Sequence, residues 1–216
     1  MEHIINNPKV QILLERTDTF LDKIGYTEHG KRHSTLVASI AHNILKRLDY
    51  PVRDQELARI AGYLHDIGNI LNREHHAQSG AILAHQLLTE LGFKYEDIVD
   101  ITGAIGTHHE EGGYPVNAIS AALIIADKSD VHKSRVRHEN TLQFDMHDRV
   151  NWAVEKSFLH VAPEKKLITL QLQIDTKVSP VLEYFEIFLT RMLIAKKAAE
   201  FLGCRFEMEI NNNKLA

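Results

Sequence analysis

Between Pro8 and His132 apolar residues recur at helical spacing in six successive runs, and half of these runs begin or end on a histidine. This pattern restricts the chain more than any other feature. A stack of amphipathic helices must bury its apolar faces against one another, and residues at the helix ends are then gathered at one rim. The runs cover about Pro8–Lys23, Lys31–Leu48, Asp54–His65, His76–Leu91, Asp97–Thr107 and Ile119–His132. Gly68 and Gly92 follow the third and fourth, as helix stops do, and Gly112-Gly113-Tyr114-Pro115 is a clear break.

The period changes after residue 145. Ile168, Leu170, Leu172 and Ile174 alternate with polar residues, which predicts a half-buried strand. Asn151–Val161 reads as its partner, with the turn at Pro163-Glu164-Lys165-Lys166. Ser179-Pro180 offers an N-cap and a first-turn proline for a helix running to about Leu202, and Phe206, Met208 and Ile210 predict a last short strand. The expected architecture is mainly α: a helical metal-binding domain over residues 1–145, then a small α+β unit over 146–216. Exposed edges on so few strands imply that the unit packs on the bundle or pairs in a homodimer.

Composition narrows the function. A formal net charge of -4 argues against broad nucleic-acid binding. A single cysteine, Cys204, allows no internal disulfide, and the N-terminus lacks a signal-peptide pattern, so the expected compartment is the cytoplasm. No apolar run approaches the roughly 20 residues of a membrane helix.

The 14 histidines are unusual in number and placement. His33 stands near the start of the second run, His65-Asp66 close the third, His76 opens the fourth and His108-His109 close the fifth. Asp127 follows Leu123-Ile124-Ile125-Ala126, where a carboxylate is costly to bury unless it is paired or bound to a metal. A single helix-end histidine is ordinarily a surface residue or a cap. An ordered set, one per helix end, is a metal-ligand pattern. His3, His42, His85, His132, His138, His147 and His160 lack that context and read as surface or packing residues.

This order of residues resembles the HD superfamily of metal-dependent phosphohydrolases, over roughly Gly30 to Arg137. His108-His109-Glu110-Glu111-Gly112-Gly113-Tyr114-Pro115 looks like a shortened HD-GYP motif, and His76 with Gly80, and Asp127 with Asp130, fit the same branch. The resemblance implies two divalent ions, Fe, Mn, Co or Zn, one held by His33, His65, Asp66 and Asp127 and the other by Asp66, His76, His108 and His109. It implies that His65, Asp66 and Asp127 carry the catalysis, and that a hydroxide activated by the metals attacks a phosphate ester, of a nucleotide by preference. His29 occupies the place of an acidic third-ion ligand in some HD-GYP members, and Asn69 stands where the family commonly has lysine. Lys128, Lys133, Arg135 and Arg137 can anchor phosphate, and Tyr114 can stack on a base or pack its loop. The same ligand set is shared by HD-type di-iron oxygenases. A non-catalytic metal- or nucleotide-binding module is the other alternative.

Overall fold

The computed structural model describes residues 1–138 and 145–215. The expected domain boundary at 145/146 adjoins residues 139–144, which lie outside the described residues. A short helix, α1 (Glu2–Ile5), precedes α2 (Pro8–Lys23), α3 (Lys31–Arg47), α4 (Val52–Leu64), α5 (His76–Glu90), α6 (Tyr95–Gly106) and α7 (Ala118–Ser129). These match the six runs to within a few residues. The last helix stops at Ser129 rather than near His132, and Lys133–Arg135 form a separate 3-10 turn. There the His132 side chain accepts from the backbone N–H of Ser134.

Helix α7 lies at the centre, against α3, α4, α6, the long C-terminal helix and the first strand. Its residues Ile119 to Ala126 are all buried, which explains a sequence apolar on every side. Asn117 and Ser120 cap its start reciprocally.

The C-terminal part departs from expectation at its beginning and its end. Met146–Ala153 form helix α8, so β1 begins at Val154 rather than Asn151 (Val154–Ala162). Asp145 drives the helix by accepting from the backbone N–H groups of His147 and Asp148. β1 pairs antiparallel with β2 (Leu167–Ile174), which pairs in parallel with β3 (Arg205–Ile210) across helix α9 (Val181–Phe201). Ser179 does not cap α9. Its hydroxyl donates to Glu183 Oε2 at 2.7 Å, and Pro180 takes the cap position. A fourth strand, β4 (Asn213–Leu215), adds antiparallel to β3 through Asn211 and Asn212, both at positive φ. Val161, Ile168, Ile194, Ala198, Ala199 and Leu202 join the core of the bundle, so sheet and α9 pack directly on it. No described helix is long and apolar enough to cross a membrane.

One close approach positions the site. After α4 the chain turns through Gly68 against the first turns of α5. A Cβ on Gly68 would lie 2.0 Å from the His76 carbonyl oxygen and 2.3 Å from the Gly80 nitrogen. Both neighbours are backbone, so neither can give way.

Gly68→Ala is therefore expected to destabilise the protein by about 1–3 kcal/mol or more. Gly103→Ala, inside α6 with nothing within 4 Å of the added carbon, is expected to stabilise it by roughly 0.5–1 kcal/mol. Urea midpoints of the two variants should move in opposite directions. Equal shifts would contradict the packing described.

Candidate metal centre

Four imidazoles reach the rim of the bundle with one ring nitrogen already engaged. His33 Nδ1 lies 2.6 Å from Asp130 Oδ2, His65 Nδ1 2.9 Å from the Gly62 carbonyl, His76 Nδ1 3.0 Å from the Arg73 carbonyl and His108 Nδ1 2.6 Å from the Ile105 carbonyl. Three of these partners are the carbonyl three residues earlier, so the local turn itself fixes the ring. With Nδ1–H donating, each Nε2 is left to face inward. All four rings are buried.

The inward nitrogens meet two carboxylates. His33 Nε2 and His65 Nε2 are 3.3 Å apart. Asp127 Oδ1 lies 3.4 Å from the first and 3.7 Å from the second, and Asp66 Oδ2 lies 3.6 and 3.3 Å from them. An ion bonded at about 2.0–2.2 Å to such donors needs them roughly 3.0–3.6 Å apart. The donor set therefore fits a divalent cation. Asp66 Oδ2, moreover, is buried without a hydrogen-bond donor.

A second group lies on the other side of Asp66. One donor atom from each of His65, Asp66 and His108 forms a further cluster, all within 4.8 Å of one another. His76 Nε2 is 3.5 Å from Asp66 Oδ1, which also accepts from Asn69 Nδ2 at 2.9 Å. Asn69, the departure noted in the sequence, thus orients the carboxylate. His109 is half-buried, its ring 4.8 Å from that of His76, and its Nδ1 accepts the Glu111 N–H at 3.3 Å. His29 is buried with its ring 5.4 Å from that of His33, and its Nδ1 lies 2.6 Å from the Thr27 carbonyl.

Electrostatics follow from this crowding. Burial opposes charge on His65, but the Asp66 carboxylate and hydrogen bonds to Asp127 and Asp66 raise its pKa to about 10. Burial, with Arg73 and His109 adding to it, lowers His76 to about 4 against the pull of Asp66. His108 is also held low, first by burial and then by His65 and His76. Asp66 and Asp127 stay well below the usual carboxylate range although burial opposes this, Asp66 chiefly through His65 and Asp127 chiefly through Lys128.

Beyond the ligand set, Lys128 is buried with Nζ 2.7 Å from both Asp127 Oδ2 and Glu110 Oε2. Arg135 is buried and donates from Nη1 to the Asp130 carbonyl at 2.8 Å. Lys128 and Arg135 line a small cavity of about 10 Å³ together with Asp66, Asp127, Arg73 and Arg191. That is room for one water-sized occupant. Arg137 is engaged elsewhere, with Asp18 and the Tyr26 carbonyl, and Lys133 is exposed. Tyr114 is exposed, its backbone N–H donating to the Thr107 carbonyl.

Sequence reasoning left several neighbours without a role. Asp130 binds His33 on one side and the Arg32 guanidinium on the other, with Nη2–Oδ2 at 2.8 Å. Its position three residues after Asp127 is the signal that marks it. Glu110 follows His108-His109 directly. Arg73 and Arg191 carry no such mark, because only the fold brings them near the ligands.

The HD domain family model matches residues 30–156, and the chain belongs to that family. An uncharacterized protein of Methanocaldococcus jannaschii, MJ1020, is 26% identical over 189 residues, covering 77% of this chain and 73% of that protein. Ribonuclease Y of Lawsonia intracellularis is 32% identical over 105 residues, which are 49% of this chain but 19% of that enzyme. The match thus spans about a fifth of the ribonuclease. A solved chain described as a predicted HD superfamily hydrolase, from an uncultured Thermotogales bacterium, is 27% identical with a TM-score of 0.48, covering 61% of this chain and 72% of that one.

Two outcomes follow. Asp130→Asn is expected to lower metal affinity about 10–100-fold, read by competition with a chelating dye, because His33 loses its anionic partner. The raised pKa of His65 stabilises the metal-free fold fully below about 6.5, and this contribution is lost as pH rises through about 10. A cation replaces that proton, so the gain in Tm on adding manganese should be larger at about pH 8.5 than at about pH 6.5. An equal gain at both would contradict it.

Proposed function

We propose that the protein is a metal-dependent phosphohydrolase cleaving a phosphate ester, of a nucleotide by preference. One observation carries the reading. Two imidazole nitrogens 3.3 Å apart, each 3.3–3.7 Å from an oxygen of Asp66 and of Asp127, stand beside a cavity lined by Lys128, Arg135, Arg73 and Arg191. Metal donors alone would suit many reactions. Metal donors flanked by buried and half-buried cations suit an anionic substrate.

His33, His65, Asp66 and Asp127 would hold one ion. Asp66 presents its other oxygen toward His76, with His108 and His109 close by, and would link that ion to a second. When bound, divalent ions such as Fe, Mn, Co or Zn supply Lewis acidity, bringing the pKa of water toward about 7 and stabilising charge on phosphoryl oxygens.

The protein's own residues do the remainder. Asp130 and the backbone carbonyls keep the four imidazoles in one tautomer, so no reorganisation accompanies the reaction. Asn69 holds Asp66 Oδ1 in place. Arg135, Arg191 and Arg73 orient the phosphate and offset its charge, while Lys128 balances Asp127 and Glu110. The HD membership supports a hydrolase, and the likeness to ribonuclease Y brings phosphodiesters into the range to be tested.

Asp66→Ala should remove most bound metal and lower hydrolysis by at least about a hundredfold. Assays of phosphomonoesters, phosphodiesters and mononucleotides with each metal, beside metal analysis, check this. Full metal content with retained hydrolysis contradicts the linking role of Asp66. Oxygen consumption by the iron form without phosphate release would point instead to an oxygenase.

A further inference from the structure

A cavity of about 280 Å³ adjoins the metal ligands and shares His29, Arg73, Arg135 and Arg191 with the small cleft between them. Its far wall is formed by Tyr26 on one side and by α8 and α9 on the other, through Asn151 and Phe188. Helix α9 lies outside the region matched by the HD family model, which ends at residue 156.

Two buried polar atoms in this wall have no partner. Arg135 is 3% exposed and its Nε finds no acceptor. Asn151 is 4% exposed; its Nδ2 donates to the His147 carbonyl at 2.8 Å, and its Oδ1 finds no donor. A buried polar group without a partner costs free energy that a bound ligand recovers. The two atoms ask for opposite things. Arg135 asks for an acceptor, best an anion; Asn151 asks for a hydroxyl or N–H donor. Asp145 and Asp148 line the same cavity and favour donors also.

Arg191 joins the two cavities. Its Nε donates to Glu110 Oε1 at 3.2 Å, and its guanidinium stacks 4.7 Å over the Phe188 ring. That arrangement holds a cation rigidly at the boundary between the ligand cleft and the larger cavity.

We infer that this cavity is the subsite for the non-phosphate part of a small phosphate monoester, with Arg135 and Arg191 gripping the phosphate, Asn151 accepting from the organic part, and Tyr26 and Phe188 flanking its ring. The inference rests on the phosphohydrolase reading for its orientation toward the metals. At about 280 Å³ the cavity falls just short of the roughly 300–1,000 Å³ range for small-molecule pockets, which favours a compact occupant. A broader depression outside it carries Glu74, Glu110 and Glu111 against a single cation, Arg73, which is a poor track for a polyanion. The subsite thus fits one nucleotide or a compound of that size, not a nucleic-acid strand.

Equilibrium dialysis of the metal-free protein against inorganic phosphate, adenosine and uridine 5′-monophosphates, and the dinucleotide pApA tests this. At least one mononucleotide should bind about tenfold more tightly than phosphate, and pApA more weakly than that mononucleotide. Arg191→Ala should weaken phosphate and mononucleotide alike, by roughly tenfold or more. Asn151→Ala should weaken the mononucleotide several-fold and leave phosphate unchanged. Circular dichroism and melting curves identify any variant that misfolds, and Phe188→Leu, which keeps the apolar wall but loses the ring, then replaces it as the test of the organic half. Wild-type affinities in the correctly folded variants, no mononucleotide binding by the wild type, or pApA bound as tightly as the mononucleotide would each overturn the inference. Binding that follows the expected pattern while no metal supports hydrolysis would leave the subsite standing and remove the phosphohydrolase reading. Hydrolysis unchanged in Arg191→Ala and Asn151→Ala would do the reverse.

Discussion

Two carboxylates, Asp66 buried and Asp127 largely so, lie among the helix ends, and the surrounding structure is organised to meet their charge. Anions in such a place are tolerable only beside compensating positive charge. In the metal-free fold that charge comes from Lys128 and from a proton on His65. A divalent ion meets the same need more directly, because the imidazole lone pairs and the carboxylate oxygens can all face it at once. The site is in this sense a cation-shaped demand written in donor groups.

The bundle exists to hold those donors in register. The donors arrive from five helices: α3 for His33, the end of α4 for His65 and Asp66, the start of α5 for His76, the end of α6 for His108, and α7 for Asp127. Their agreement to within tenths of an ångström depends on close backbone contact rather than on the donors' own attraction. Gly68 against α5 is one such contact, and the burial of α7 on all sides is another. Packing places the carboxylates, and hydrogen bonds on their outer nitrogens lock the histidines.

Much of this was legible in the sequence because the signals were local. Apolar spacing marks the main helices, and histidines at helix ends mark most of the donors that the fold brings together. The alternation from Ile168 to Ile174 marked β2. What was missed had a physical cause in each case. Helix α8 is two turns long, and its capping residue Asp145 follows a stretch with no clear period, so the strand-like run after Asn151 dominated the reading. β4 is three residues long, and only the Asn211-Asn212 turn announces it. Arg73 and Arg191 approach the ligands through tertiary contact across long separations, which no local pattern records. Arg137 illustrates the opposite case: close to Asp127 in sequence, it is turned to Asp18 by the fold.

The account stands on a cation being held by His33, His65, Asp66 and Asp127. Anomalous diffraction from crystals of the cobalt- or manganese-loaded protein measures that directly. A peak within about 2.0–2.3 Å of His33 Nε2, His65 Nε2 and an oxygen of each aspartate is the expected result. Ions bound only elsewhere, with this cluster of donors left bare at saturating metal, would contradict it.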